Sequence, residues 1–113
     1  MTEFMLIFRH PQQPSHDVSP EQMQAGIKQW RDWIGAIAAQ GKFVSTNRLG
    51  FQGKTLKPGN VVTDGPYAEV KEMIGGNLIL KAASIDEALR LAEGCPILLT
   101  GGHVEVRDIM KMD

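Results

Sequence analysis

Apolar and polar positions alternate with two different periods along the chain, and the switches between them mark its elements. Residues 3–9 form a short, nearly continuous apolar run closed by His10-Pro11, the pattern of a buried strand. A polar stretch containing Pro14 predicts a loop as far as Ser19. Ser19-Pro20-Glu21-Gln22 then offers a serine N-cap, a proline for the first helical position and a glutamine able to close a capping box. Behind it Met23, Ile27, Trp30, Ile34 and Ile37 recur at helical spacing and predict one buried stripe, stopped at Gly41. Trp30 lies on that stripe as a core residue. Trp33 sits off its centre, fit to line a pocket or a dimer rim.

Beyond Gly41 the period shortens. Residues 43–51 and 54–57 read as extended segments, paired as a hairpin across Gln52-Gly53. Pro58-Gly59-Asn60 makes a further turn, and Val61-Val62-Thr63 leads into another opened by Asp64. Residues 77–82 are apolar enough for a central strand. Ser84-Ile85-Asp86-Glu87 is a second capping box, its helix burying Ile85, Ala88, Leu89 and Ala92 and ending at Gly94 and Pro96. Residues 103–110 alternate as a last strand, with Glu105 and Arg107 on one face, available for pairing across a dimer.

The order β, α, hairpin region, β, α, β predicts an α+β fold of the ferredoxin-like kind, one domain over residues 1–113. Two helices cover one face of an antiparallel sheet and leave the other open. In a domain this small an open apolar face calls for a partner, most simply a homodimer through that face.

Composition trims the function classes. A net charge of −1, with acids and bases interspersed, lacks the concentrated basic footprint of a nucleic-acid binder. No apolar run approaches a membrane span of ~20 residues. The one cysteine, Cys95, excludes an intramolecular disulfide and, with no leader pattern, predicts a reducing cytoplasm. No phosphate loop, dinucleotide fingerprint or paired metal-ligand spacing stands in the sequence, so neither cofactor nor metal is expected. Cys95, before Pro96 at a helix end, reads as a packed residue and not as a nucleophile.

The densest chemistry lies in Thr63-Asp64-Gly65-Pro66-Tyr67-Ala68-Glu69-Val70-Lys71-Glu72, followed by Gly75-Gly76. Glycine and proline fix the backbone around Asp64. In a pocket between sheet and helix its carboxyl would serve proton transfer; otherwise it accepts hydrogen bonds from the turn it starts. His10 and His16 are placed to share a pocket mouth with Asp64, whereas His103 opens the last strand. A His10–Asp64 dyad would pair a general base with an orienting carboxylate, against strand-end histidines with no common site. Arg9 and Arg48 are candidate partners for a substrate carboxylate, Tyr67 adds a hydroxyl, and Lys71 and Glu72 are a candidate anion clamp and acid. The alternative for the Glu-Val-Lys-Glu run is a solvated edge.

The block from Asp64 to Glu72 resembles the signature of the YCII-related proteins of the DGPF-domain type. The similarity continues through Gly75-Gly76, Ile85-Asp86-Glu87-Ala88, Cys95-Pro96 and Val104-Glu105-Val106-Arg107, with Phe4 to Arg9 and Trp30-Arg31-Asp32-Trp33 upstream. Tyr67 stands where the signature usually has phenylalanine, and Asp108 where proline is commoner, which puts the exit of the last strand in question. The resemblance implies a ferredoxin-like fold dimerised into an α+β barrel. For activity the resemblance implies lyases or dehydrohalogenases of ring-cleavage products that use a histidine–aspartate pair, or association with sigma factors in transcription initiation. Together with the residues above, two classes stand: a small cofactor-independent lyase or isomerase on an acidic metabolite, or a non-catalytic binding or regulatory module such as a sigma-factor partner.

Overall fold

The computed structural model describes residues 1–11, 19–65 and 72–112, with only the backbone of Glu72. Its elements are β1 (Thr2–Pro11), α1 (Pro20–Ala39), β2 (Phe43–Arg48), β3 (Lys54–Lys57), β4 (Val61–Asp64), β5 (Glu72–Ala82), α2 (Ile85–Ala92), a short 3-10 helix (Pro96–Thr100) and β6 (His103–Asp108). The main sheet has the order β2-β5-β1-β6 with every neighbouring pair antiparallel. This is the predicted α+β arrangement, two helices on an antiparallel sheet.

One pairing differs from the sequence expectation. β2 pairs with β5, and β3 pairs with β4 across Pro58-Gly59-Asn60, so the hairpin is not closed at Gln52-Gly53. The turn explains the choice: Gly59 and Asn60 take φ of 82° and 61°, a left-handed pair that glycine and asparagine adopt at least cost. Released from that pairing, β2 sets the half-buried Phe43 opposite Leu80 at the edge of the core. The β3–β4 pair forms a separate two-stranded sheet. The radius of gyration is 15.7 Å, against ~13 Å for a compact domain of this length.

Alternation along β1 turns Phe4, Leu6 and Phe8 to the helices, facing Leu80, Leu78 and Gly76 of β5 and Asp108, Val106 and Val104 of β6. The helices complete this core with Trp33, Ile37, Ala88 and Ala92. The predicted stripe of α1 is shifted accordingly. Met23 and Ile27 are exposed, Trp30 and Ile34 are partly buried, and Trp33 is a core residue whose indole N–H donates to the Leu91 carbonyl at 2.9 Å. A helix of 20 residues is ~30 Å long, and its first half carries only half-buried or exposed side chains. In α2 the alanines, not Ile85 and Leu89, meet the sheet; small side chains let the helix approach closely.

Both predicted N-caps form. Ser19 accepts from the Gln22 N–H while Gln22 Oε1 accepts from the Ser19 N–H. Ser84 accepts from the Glu87 N–H, but Glu87 reaches one residue further back, to the Ala83 N–H at 3.1 Å, and pairs with Lys42 at 3.3 Å. These contacts, the Ala83 N–H first, hold the Glu87 carboxyl below its ordinary value. β6 ends at Asp108, where proline is commoner in the signature, and the Ile109 N–H still donates to the Glu3 carbonyl, so the pairing runs one bond past the strand.

Candidate functional site

The register gathers most of the candidate residues at one end of the main sheet. There β1 ends with Arg9 opposite Ile74 and His103, His10 opposite Met73 and Pro11 opposite Glu72; β2 ends with Arg48 opposite Gly76. Alternation then divides them between two faces. His10 follows Phe8 on the helix side, and Arg48 shares that side through Gly76. Arg9 and His103 face the open side. Arg9 and Arg48 therefore do not lie beneath one common surface. His103, left outside the shared pocket in the sequence reading, is brought to the same sheet end.

On the open side Arg9 is engaged. Its Nε and Nη2 reach Glu105 Oε1 at 3.1 and 3.0 Å, and Arg107 Nη1 lies 3.3 Å from Oε2. The Arg9 hydrogen bond and then that of Arg107 hold the Glu105 carboxyl below its ordinary value. Within the chain Glu105 thus pairs with both arginines. Around them Met5, Ile7, Asn77 and Ile79 are half-buried and Ile74 is exposed.

On the helix side the half-buried His10 places Nδ1 2.9 Å from the Pro11 carbonyl oxygen. That oxygen can only accept, so the neutral ring is assigned its proton at Nδ1, which leaves Nε2 as a lone-pair base. Nε2 lies over Gly75 of β5. On the same face Phe8, Trp30 and Trp33 make a mutually edge-on aromatic cluster, with centroid separations of 5.1–6.0 Å. Arg48 is exposed, and no described residue pairs with its guanidinium.

Asp64 stands elsewhere, at the end of β4, exposed and opposite Lys54. Gly65 beside it has φ 84° and donates to the Gly53 carbonyl at 2.8 Å, and Thr55 donates to the Gly65 carbonyl. The backbone of this turn is therefore held by Gly65, Gly53 and Thr55, and no described residue donates to the Asp64 carboxylate. Tyr67, Lys71, His16 and the Glu72 side chain lie outside the described residues. Cys95 is buried, and burial pushes its thiol up to about 11, in keeping with a packed role. No group of potential metal ligands occurs among the described residues, nor does any helix there have the length and apolarity to cross a membrane.

Two helices on an antiparallel sheet of order β2-β5-β1-β6, with a histidine-bearing end, define a small α+β domain of the ferredoxin-like class. The chain matches the YCII-related domain over residues 3–113 and belongs to that family. No curated protein matches it. Among solved structures it is similar to 5-chloro-2-hydroxyhydroquinone dehydrochlorinase from Burkholderia phenoliruptrix AC1100 in complex with 2,5-dihydroxybenzoquinone. The identity is 20%, the TM-score 0.49, and the match covers 96% of this chain and 95% of the other.

Proposed function

We propose that the protein is a small cofactor-independent enzyme of the lyase or isomerase type, moving a proton on an acidic metabolite. The observation that carries this reading is the His10 ring, fixed at Nδ1 by the Pro11 carbonyl with Nε2 presented over Gly75. A base needs a lone pair held toward its substrate, and this arrangement supplies one. Arg48, on the same face two strands away, is the group to hold a substrate carboxylate. Tyr67, Lys71 and Glu72 follow the turn that Asp64 opens and are its proposed auxiliaries. Asp64, on the separate hairpin, is the proposed acid of the site and not the group that orients His10, whose Nδ1 is held by the Pro11 carbonyl. The sigma-factor association draws no support from the family match.

The test is exchange of substrate C–H hydrogen with solvent, followed by NMR in D2O over a panel of small carboxylic acids. The wild type should catalyse exchange on at least one compound, and His10→Gln, with its fold intact, should abolish it. No exchange and no ligand-induced spectral shift anywhere in the panel would sink the enzyme reading. Asp64→Asn distinguishes acid from turn: a purely structural role predicts lost stability, with ligand affinity falling only as folding does.

The same reading includes a homodimer through the open sheet face and a cytoplasmic setting. Met5, Ile7 and Ile79 offer the apolar centre, rimmed by the Arg9–Glu105–Arg107 pairs. Ile79→Lys should convert the dimer to monomer in sedimentation equilibrium; a wild type that sediments as a monomer removes this part of the proposal.

A further inference from the structure

Two adjacent glycines in a central strand call for a reason, since each costs ~0.5–1 kcal/mol relative to alanine. The reasons for Gly75 and Gly76 differ. Gly76 is buried, and a side-chain carbon there would run into the Asn47 carbonyl oxygen and press on the Arg48 Cα at 3.4 Å, backbone atoms of β2 that cannot give way. Gly76 is needed for the close approach of two strands.

Gly75 meets no such obstacle. Its φ is not among the positive ones, so the backbone does not demand glycine. The three atoms nearest to an added Cβ all belong to the His10 ring: Cδ2 at 2.6 Å, Nε2 at 2.9 Å and Cγ at 3.9 Å. Gly75 is also the extra residue of a bulge. Phe8 faces Gly76 and Arg9 faces Ile74, so Gly75 has no partner on β1. The imidazole occupies the room that a side chain at this bulge would fill.

We infer that Gly75 is a positioning residue for His10: the missing side chain lets the ring lie across the bulge with Nδ1 on the Pro11 carbonyl. Its importance to activity rests on the proton-transfer reading of His10, but the geometric claim stands without it. A methyl group at position 75 would push the ring aside. The ring would lose the Pro11 carbonyl, and its neutral form would drift toward the Nε2–H tautomer that imidazole favours in water. The presented base would then become a donor.

Long-range 15N–1H spectra of the three histidines, with His10→Gln assigning the signals, read this without any substrate. In the wild type the neutral His10 should show a protonated Nδ1 and a bare Nε2. Gly75→Ala should move both nitrogens toward the tautomer mixture of a solvated histidine, while Gly76→Ala should lower the thermal midpoint and leave the His10 pattern unchanged. Should Gly75→Ala fold too poorly for spectra, the double variant His10→Ala/Gly75→Ala supplies the readout. With the ring gone the alanine should be tolerated, so the double variant should melt higher than Gly75→Ala alone. An unaltered His10 pattern in Gly75→Ala, or a double variant no more stable than the single, overturns the inference. A substrate search that fails while these shifts appear would leave Gly75 as positioned here and remove only the enzymatic reading.

Discussion

In β5, Leu78 and Leu80 lose all exposure to water, whereas Leu56 in β3 keeps 67% of its own. Both strands belong to antiparallel pairs and draw on similar residues. In the main sheet, register is chosen by burial: Leu6 faces Leu78 and Phe4 faces Leu80, and a slip of one residue would turn all of them to solvent. In the β3–β4 hairpin Leu56 faces Val62 with both exposed, and Val61 is exposed on the other face. Its register is set by the Gly59-Asn60 turn and by cross-strand bonds such as Thr63 to the Thr55 carbonyl. An isolated hairpin of this kind is marginal in water. The contrast shows that strand-forming residues do not define a sheet until something buries one of its faces.

The sharpest way to break this comparison is a matched pair of truncations. Leu78→Ala should cost ~2–5 kcal/mol of unfolding free energy, for lost transfer and a residual cavity. Leu56→Ala should stay within ~0.5 kcal/mol in the monomeric protein, as exposed substitutions do. Urea titrations of both would erase the distinction if the two losses were similar. Trp33→Phe comes next. It strands the Leu91 carbonyl that now accepts the indole N–H, a loss of ~1–3 kcal/mol. Ser19→Ala, which removes the cap of α1, should cost ~1 kcal/mol by the same titration.

The smallest expected effect is the response to acid. Glu87 and Glu105 have carboxyls lowered by their partners in the folded state. The stability they add is therefore present above the unfolded carboxylate range, near pH 4.5, and is lost as pH falls through the lower folded values. Unfolding curves between pH 6 and pH 3 should show that loss. Glu87→Gln/Glu105→Gln should flatten it, and an unchanged slope would show that other groups carry it. Both pairs are partly exposed, so the effect should also shrink with salt.

Much of the fold was legible because it rests on local signals. The Ser19–Gln22 box, the Ser84 cap and the Gly41 stop depend on a few neighbouring residues, and each formed, with Glu87 closing on Ala83 in place of Ser84. Burial was less legible. Trp33 and Trp30 both satisfy helical spacing with Ile37, and only the docking angle of α1 decides that Trp33 goes deepest. The hairpin was misplaced because Gln52-Gly53 and Pro58-Gly59-Asn60 are both turn signals, and the partner strand lies far along the chain. The candidate site was legible in residue type but not in placement. Sequence separates Arg9 from Glu105 by most of the chain, yet the register sets β6 beside β1 and joins them. No short-range pattern announces that Gly75 makes room for His10.

Cys95 gives the molecule a reporter of its own opening. Its sulfur is packed in the core beside the 3-10 helix, and at neutral pH the thiol is almost wholly protonated. A thiol reagent can therefore react at speed only with chains whose core has come apart. With one cysteine in the sequence each chain carries either one label or none, so intact mass counts the molecules that have opened. Labelling rates taken at increasing urea would separate fluctuations that expose the core from those confined to the hairpin, which would pass unlabelled.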